Sequence, residues 1–121
     1  MILYIDTTGK DSIEVALGDG DRIFKKRAAA FRKQSEKLLP LIGKILRERN
    51  LGLEELEKIM VKDQGGSFTS LRIGVATANA LGFALRIPVE AASGRMARRA
   101  AGLSVVEPAY DKGPNITLKK T

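Results

Sequence analysis

Two short segments carry residue types that hold phosphate and metal ions in other proteins. Asp6, Thr7 and Thr8 follow a short apolar run, and their carboxylate and hydroxyl oxygens are suited to magnesium and phosphate. The segment Gly65-Gly66-Ser67 precedes a predicted helix whose backbone N–H groups are suited to an anion. Each segment also has a purely structural explanation, a strand-end turn or glycines that permit a sharp turn. Neither a Walker loop nor G-x-G-x-x-G is present.

The composition narrows the chemistry further. The chain has no cysteine and no histidine. A thiolate zinc site, a cysteine nucleophile and a histidine acid or base are therefore excluded. Ser67 has no histidine to activate it, which disfavours a nucleophilic role. We expect no catalytic residue, no metal site and no cofactor.

Length and charge indicate a single small domain. The 121 residues, 44% of them hydrophobic, suffice for one core. The net charge of +7 would suit an anionic partner such as RNA, but the basic residues are scattered among few aromatics. Most of this charge is expected on solvated surface, with at most a modest attraction to RNA or an acidic partner. No apolar run approaches the roughly 20 residues of a membrane span, so the sequence predicts a soluble, cytoplasmic protein.

The hydrophobic pattern predicts a mixed α/β domain. Three short alternating segments predict an antiparallel meander, and two further apolar segments predict strands that follow helices. The first helix is expected from an N-cap at Ser35 to Asn50, and the second from a cap at Thr69 or Ser70 to Arg86. The predicted strands are 2–5, 12–18, 22–26, 58–62 and 87–90, with a short helical turn at 53–56 and a basic helix at 92–101 capped by Ser93.

The first helix has a clear apolar stripe, whereas the second is apolar on most sides. On the first helix, Leu38, Leu39, Ile42, Ile45 and Leu46 are expected to face the core, with Leu41 outside that stripe. On the second, polar residues recur only every seven positions, and most other positions are apolar or small. A helix that packs on one sheet needs an apolar stripe narrower than the one on this helix. The second helix is therefore expected to pack against another element as well as the sheet. Gly74, Ala78 and Gly82 form a row against which a helix could pack closely, supplied either by this chain or by a partner.

Four segments together resemble the bacterial TsaB (YeaZ) family, which serves tRNA threonylcarbamoyladenosine (t6A) biosynthesis. The resemblance spans about Met1 to Ala97, and its segments occur in the family's order. They are Ile5-Asp6-Thr7-Thr8, Gln34-Ser35-Glu36-Lys37-Leu38-Leu39-Pro40-Leu41-Ile42, Gly66-Ser67-Phe68-Thr69-Ser70-Leu71-Arg72-Ile73-Gly74 and Ala76-x-Ala78-x-Ala80-Leu81.

The resemblance implies an actin-like (ASKHA, ribonuclease-H-like) domain with a mixed five-stranded sheet. It also implies a non-catalytic platform whose two helices pack on the equivalent helices of the catalytic subunit TsaD, or on a second copy. TsaD transfers the threonylcarbamoyl group to tRNA at a metal site that requires two histidines, and the ATPase TsaE joins the complex. This chain has no histidine, in agreement with the platform role.

The sequence departs from the family's pattern in two places. Gln64-Gly65-Gly66 stands where the family usually has Gly-Pro, and Ser70 replaces a common glycine. The family usually continues into a second subdomain after the segment that matches Ala91-Ala92-Ser93. We therefore expect a single domain over residues 1–103 and a tail over 104–121. In this shortened form, the place where TsaE would dock is left open.

Two functional hypotheses follow. The first is a scaffold that binds a TsaD-type subunit and contacts tRNA only indirectly. The second is an actin-like ATPase that uses Asp6, Thr7 and Thr8. The residues expected at the scaffold's partner interface are Leu38, Leu41, Ile45, Leu71, Gly74, Val75, Ala78 and Gly82.

Overall fold

A computed structural model of the chain describes residues 1–94, 98–100 and 103–106. Seven strands, two α-helices and one 3-10 turn occur in the described residues. The first half contains β1 (Ile2–Asp6), β2 (Ser12–Asp19), β3 (Arg22–Ala29) and α1 (Gln34–Glu48). The 3-10 turn (Leu53–Glu55), β4 (Lys58–Val61), α2 (Phe68–Leu85), β5 (Val89–Ala91), β6 (Arg98–Ala100) and β7 (Leu103–Val105) follow.

The first five strands form one mixed sheet in the order β3-β2-β1-β4-β5. The pairs β1–β2 and β2–β3 are antiparallel, whereas β4 pairs parallel to both β1 and β5. The predicted meander and the predicted five-stranded mixed sheet are confirmed. Both helical crossovers step in the same direction across the sheet, so right-handed connections place α1 and α2 on one face.

The core lies between that face and the two helices. Alternate residues of the strands point toward the helices and are almost fully buried, as the period of two in a strand requires. Pro40 lies inside α1, which continues through it. The largest fully buried strand residues are Leu3, Ile5, Ile13, Val15, Leu17, Ile59, Val61 and Val89.

Helix α1 differs from its prediction at the N-cap and at two leucines. Its N-cap is Lys33, whose side chain makes no capping hydrogen bond, and the predicted cap Ser35 lies inside the helix. Leu41 is 6% exposed and Leu39 is 54% exposed, the reverse of the prediction. The reason is the position of the buried stripe: Leu41 is three residues from Leu38, whereas Leu39 is rotated by about 100° from it.

Helix α2 begins with a cap at Ser67. The Ser67 hydroxyl accepts a hydrogen bond from the Ser70 N–H at 3.0 Å, so Thr69 and Ser70, predicted as caps, lie in the first turn instead. By length and composition alone, α2 would be long enough to cross a membrane. It lies on the sheet, however, and buries Leu71, Val75 and Ala78 in the core of the domain.

The described part of the segment after β5 contains a strand where the basic helix is predicted. Residues 98–100 form β6, which pairs antiparallel with β7, and residues 95–97 and 101 lie outside the described residues. The hydroxyl of Ser93, the predicted cap, donates a hydrogen bond to the Asp63 carboxylate at 2.8 Å. The side chain of Asn79 on α2 bonds both backbone groups of Val106, at 2.8 and 3.0 Å. Of the predicted tail, residues 107–121 lie outside the described residues.

Candidate functional site

One carboxylate oxygen of Asp6 is hydrogen-bonded within its own turn. Its Oδ1 accepts hydrogen bonds from the Thr8 N–H at 2.8 Å and from the Thr8 hydroxyl at 2.6 Å. The alternation of β1 places Asp6 on the sheet face away from the helices, where it lines a shallow groove with Tyr4, Glu14 and Lys62. This geometry is that of an Asx turn closing the end of a strand.

The Thr7 side chain lies on the helix side of the sheet, and its hydrogen bond links the end of β1 to the first turn of α2. Thr7 is 0% exposed, and its hydroxyl donates to the backbone oxygen of Ser70 at 2.6 Å. A Cβ on Gly74 would overlap the Thr7 hydroxyl, so glycine at this position lets the threonine reach the helix. The structure therefore does not bring Asp6, Thr7 and Thr8 together around one ligand position.

The glycine loop before α2 packs on the same turn. Gly65 and Gly66 have φ of 91° and 73°, in the left-handed region that favours glycine. A Cβ on Gly66 would lie 2.8 Å from the Cα of Thr8. The two segments with phosphate-binding residue types are thus packed directly against each other.

The row of small residues on α2 faces the domain's own sheet. Gly74 lies over Thr7, which directly follows β1, Ala78 is 0% exposed, and a Cβ on Gly82 would overlap the side chain of Val89 on β5. These small residues let α2 approach the sheet closely. The close helix–helix contact predicted for this row is instead a helix–sheet contact within the chain.

All eight residues expected at a partner interface are buried in this chain. Their side chains, or for the two glycines their backbones, pack between the helices and the sheet, so they present no surface to a partner. The periodicity of a helix that is apolar on most sides does not show which side faces the sheet. The eight are Leu38, Leu41, Ile45, Leu71, Gly74, Val75, Ala78 and Gly82.

A different set of apolar residues lies at least partly exposed on the helices. On α2, the half-buried Ile73 and the exposed Ala76, Ala80 and Phe83 follow one another by three or four residues and therefore lie on one side of the helix. Phe83 is 66% exposed, and Leu39 of α1 is also mostly exposed. We call these five residues the outer helix face. Sequence reasoning identified the excess apolar surface but not these residues.

A groove at the N-terminal ends of both helices continues from the outer helix face. It is lined by Phe31, Arg32, Ser35, Thr69 and Ile73, among others. The helices are joined beneath it, because the amide nitrogen of the buried Gln34 donates to the Ser70 hydroxyl at 3.3 Å. A second shallow groove that shares Ile73 reaches Ala76. Ile73 therefore lies where the two grooves meet, between the helix starts and the middle of α2.

Comparison with known families decides what kind of domain this is. The family model described as "TsaD: tRNA N6-adenosine threonylcarbamoyltransferase" matches residues 27–94, from the end of β3 to beyond β5. The chain belongs to this family. The matched residues include α1, α2 and all five residues of the outer helix face.

Within the family, the chain is similar to proteins named TsaB. It is 32% identical over 93 residues to the tRNA threonylcarbamoyladenosine biosynthesis protein TsaB of Bacillus subtilis, which covers 76% of this chain and 40% of that protein. It is 30% identical over 88 residues to the TsaB protein of Haemophilus influenzae, with 73% and 37% covered. A shorter match, 40% identical over 60 residues, is to the tRNA N6-adenosine threonylcarbamoyltransferase of Nitrosospira multiformis and covers 50% of this chain and 17% of that enzyme.

Solved structures agree with this assignment. YeaZ from Pseudomonas aeruginosa superposes with a TM-score of 0.69 at 30% identity, covering 74% of this chain and 42% of that one. The predicted membership of the TsaB/YeaZ family and the predicted actin-like fold are both confirmed. The chain spans about two fifths of the length of the TsaB proteins that it matches.

Proposed function

We propose that this chain is a TsaB-type accessory subunit of t6A biosynthesis that docks on a TsaD-type catalytic subunit through the outer helix face. The observation that carries the proposal is the line of partly or fully exposed apolar residues along α2, together with the exposed Leu39 of α1. Contiguous exposed apolar surface of this kind marks interaction sites in soluble domains. The small side chains of Ala76 and Ala80 allow a partner helix to approach closely.

A homologous subunit is the occupant that fits this face best. The family model that matches residues 27–94 of this chain is the one named for TsaD, so a TsaD-type protein would carry helices equivalent to α1 and α2. Two equivalent helix pairs can pack face to face as a four-helix layer, in which each pair covers the other. In the absence of the TsaD-type subunit, the same face would pair two copies of this chain.

A non-catalytic role fits the residues at the candidate site. The chain contains no histidine, whereas the resemblance implies a histidine-containing metal site in TsaD. The Thr7 hydroxyl is buried in a structural bond and is not directed at a ligand position. We place the protein in the cytoplasm with its tRNA substrate, and a TsaE-type ATPase in the same complex. We further propose that residues 1–103 act as one domain.

Co-elution with the cognate TsaD-type protein tests the docking. The two proteins are mixed, and the mass of the eluted species is measured by light scattering. Wild-type chain is expected to form a heterodimer, and Ala80→Glu to abolish it because the carboxylate would be buried without a partner. Ala29→Glu on the edge strand β3 is the matched control, since Ala29 is exposed and not on the helices. Equal binding by both variants would refute docking through this face.

The alternative, an ATPase that uses Asp6, predicts a different result. The isolated chain would hydrolyse ATP, and Asp6→Ala would abolish the activity. Because Asp6 already bonds Thr8 twice and Thr7 is buried, we expect no ATP hydrolysis that depends on Asp6.

A further inference from the structure

Two guanidinium groups share one aromatic ring at the end of the molecule where β3 begins and α1 ends. Arg22 and Phe24 are two residues apart on β3 and therefore lie on the same face of the sheet. The Arg49 guanidinium, just after α1, lies 3.6 Å from the centre of the Phe24 ring, and that of Arg22 lies 5.4 Å from it. Each cation is attracted by the ring, but the two repel each other.

Neither guanidinium is neutralised by a carboxylate. Among the residues that the structure describes, the nearby ion pairs join Lys26 to Glu48 at 3.0 Å and Arg27 to Glu14 at 3.2 Å, and neither Arg22 nor Arg49 takes part in one. Both arginines are exposed. Like charges that are held together at a surface without a counter-charge favour the binding of an anion.

The exposed residues around the two arginines carry both signs. Lys44 and Arg47 in the last turns of α1 are exposed. Asp19 and Asp21 of the β2–β3 turn, Glu48, which pairs with Lys26, and the acidic residues 54, 55 and 57 lie at the same end. The unneutralised positive charge is therefore local to the two guanidinium groups on Phe24.

We propose that Arg22, Phe24 and Arg49 form a contact site for the phosphodiester backbone of an RNA. A planar guanidinium donates two parallel hydrogen bonds to a phosphate, and stacking on Phe24 orients both groups in advance. The favourable field at the C-terminal end of a helix accounts for Arg47 and Arg49, but not for Arg22 on the strand. Such a contact would position RNA without reading its sequence. The identification of the RNA as tRNA rests on the proposed function.

Fluorescence anisotropy with a labelled tRNA transcript tests the site in the full chain. The dissociation constant is measured between about 50 and 200 mM KCl, where counterion release dominates the salt dependence. Arg22→Gln/Arg49→Gln is compared with Lys10→Gln/Lys62→Gln, which removes the same charge from exposed positions at the opposite end of the sheet. We expect the first variant to bind at least about fivefold more weakly and its log–log salt slope to fall by about 1.5, since each phosphate contact contributes about 0.7–0.9. The control should change less than about twofold.

Further arms separate this site from general charge effects. Arg22→Lys/Arg49→Lys keeps both charges and should keep most of the salt slope; if it loses as much slope as the glutamine variant, the effect comes from packing and the proposal is wrong. Equal losses in the glutamine variant and the Lys10/Lys62 control would also overturn it. So would binding to phosphatidylserine vesicles without binding to tRNA. Both arginine variants should still co-elute with the TsaD-type subunit, so a failure of this site is distinguishable from a failure of the proposed function.

Discussion

Replacing Gly74 by alanine tests how β1 is fastened to α2. In an exposed helix interior this change stabilises a protein by about 1 kcal/mol, because alanine restricts the unfolded chain. Here the new Cβ would overlap the Thr7 hydroxyl and lie 3.2 Å from its Cγ2. Thr7 would have to move and give up its 2.6 Å bond to Ser70. The structure therefore predicts a loss of stability where helix propensity predicts a gain.

The magnitude follows from three contributions. Overpacking in a core costs about 1–3 kcal/mol, and a buried hydroxyl without a partner costs about 1–3 kcal/mol. Against the gain in propensity, Gly74→Ala should lower the free energy of unfolding by about 1–3 kcal/mol. In a Thr7→Ala background only the Thr7 Cβ remains, 3.4 Å from the new Cβ, an ordinary contact distance. There, Gly74→Ala should be neutral or stabilise by up to about 1 kcal/mol.

Urea unfolding followed by circular dichroism measures all four proteins of this cycle. We expect the midpoint for Gly74→Ala to fall by about 1 M, given a slope of about 1–3 kcal/mol per M for small proteins. The change of sign between the two backgrounds is the decisive result, with a coupling energy of about 2–3 kcal/mol. A Gly74→Ala protein as stable as wild type would refute the close contact, as would additive effects of the two substitutions.

Three further predictions follow from individual contacts. Leu41→Ala should cost about 2–4 kcal/mol because Leu41 is buried, and its neighbour Leu39→Ala should change the free energy of unfolding by less than about 0.5 kcal/mol; equal effects in urea unfolding would contradict the orientation of α1. Asn79→Ala leaves both backbone groups of the buried Val106 unpaired, so it should cost about 1–3 kcal/mol and speed hydrogen exchange at the Val106 amide; an unchanged exchange rate would argue against that contact. The hydrogen bond from the N-terminal amine, at 2.7 Å, and its positive charge hold the pKa of Glu57 below its ordinary value of 4.5. Glu57→Gln should therefore lower the thermal stability slightly at pH 7, and the difference from wild type should shrink as the pH falls below 4.5. A stability difference that grew in acid would contradict this sign.

The sheet could be predicted from sequence because its signals are local. The alternation in Ser12 to Gly18 and the Asp19-Gly20-Asp21 turn each specify their conformation from adjacent residues. The sheet order then follows from short connections and right-handed crossovers. These physical constraints do not depend on contacts between distant parts of the chain.

The orientation of the helices could not be predicted in the same way. Helix α2 is apolar or small on most sides, so its pattern does not show whether Ala78 or Ala80 faces the sheet. The answer depends on the bond between Thr7 and Ser70, which are 63 residues apart. The basic segment after Ser93 contains good helix formers, but pairing between β6 and β7 overrides that preference at residues 98–100.

Formation of t6A in a reconstituted reaction tests the central claim most directly. The cognate TsaD-type subunit, the other components and tRNA are held constant while this chain is titrated in. We expect the rate of t6A formation to rise and saturate with wild-type chain and with the exposed-strand control Ala29→Glu. Ala80→Glu on the outer helix face should give no increase at any concentration. A rate that is unchanged when the chain is omitted, or full activation by Ala80→Glu, would contradict the account.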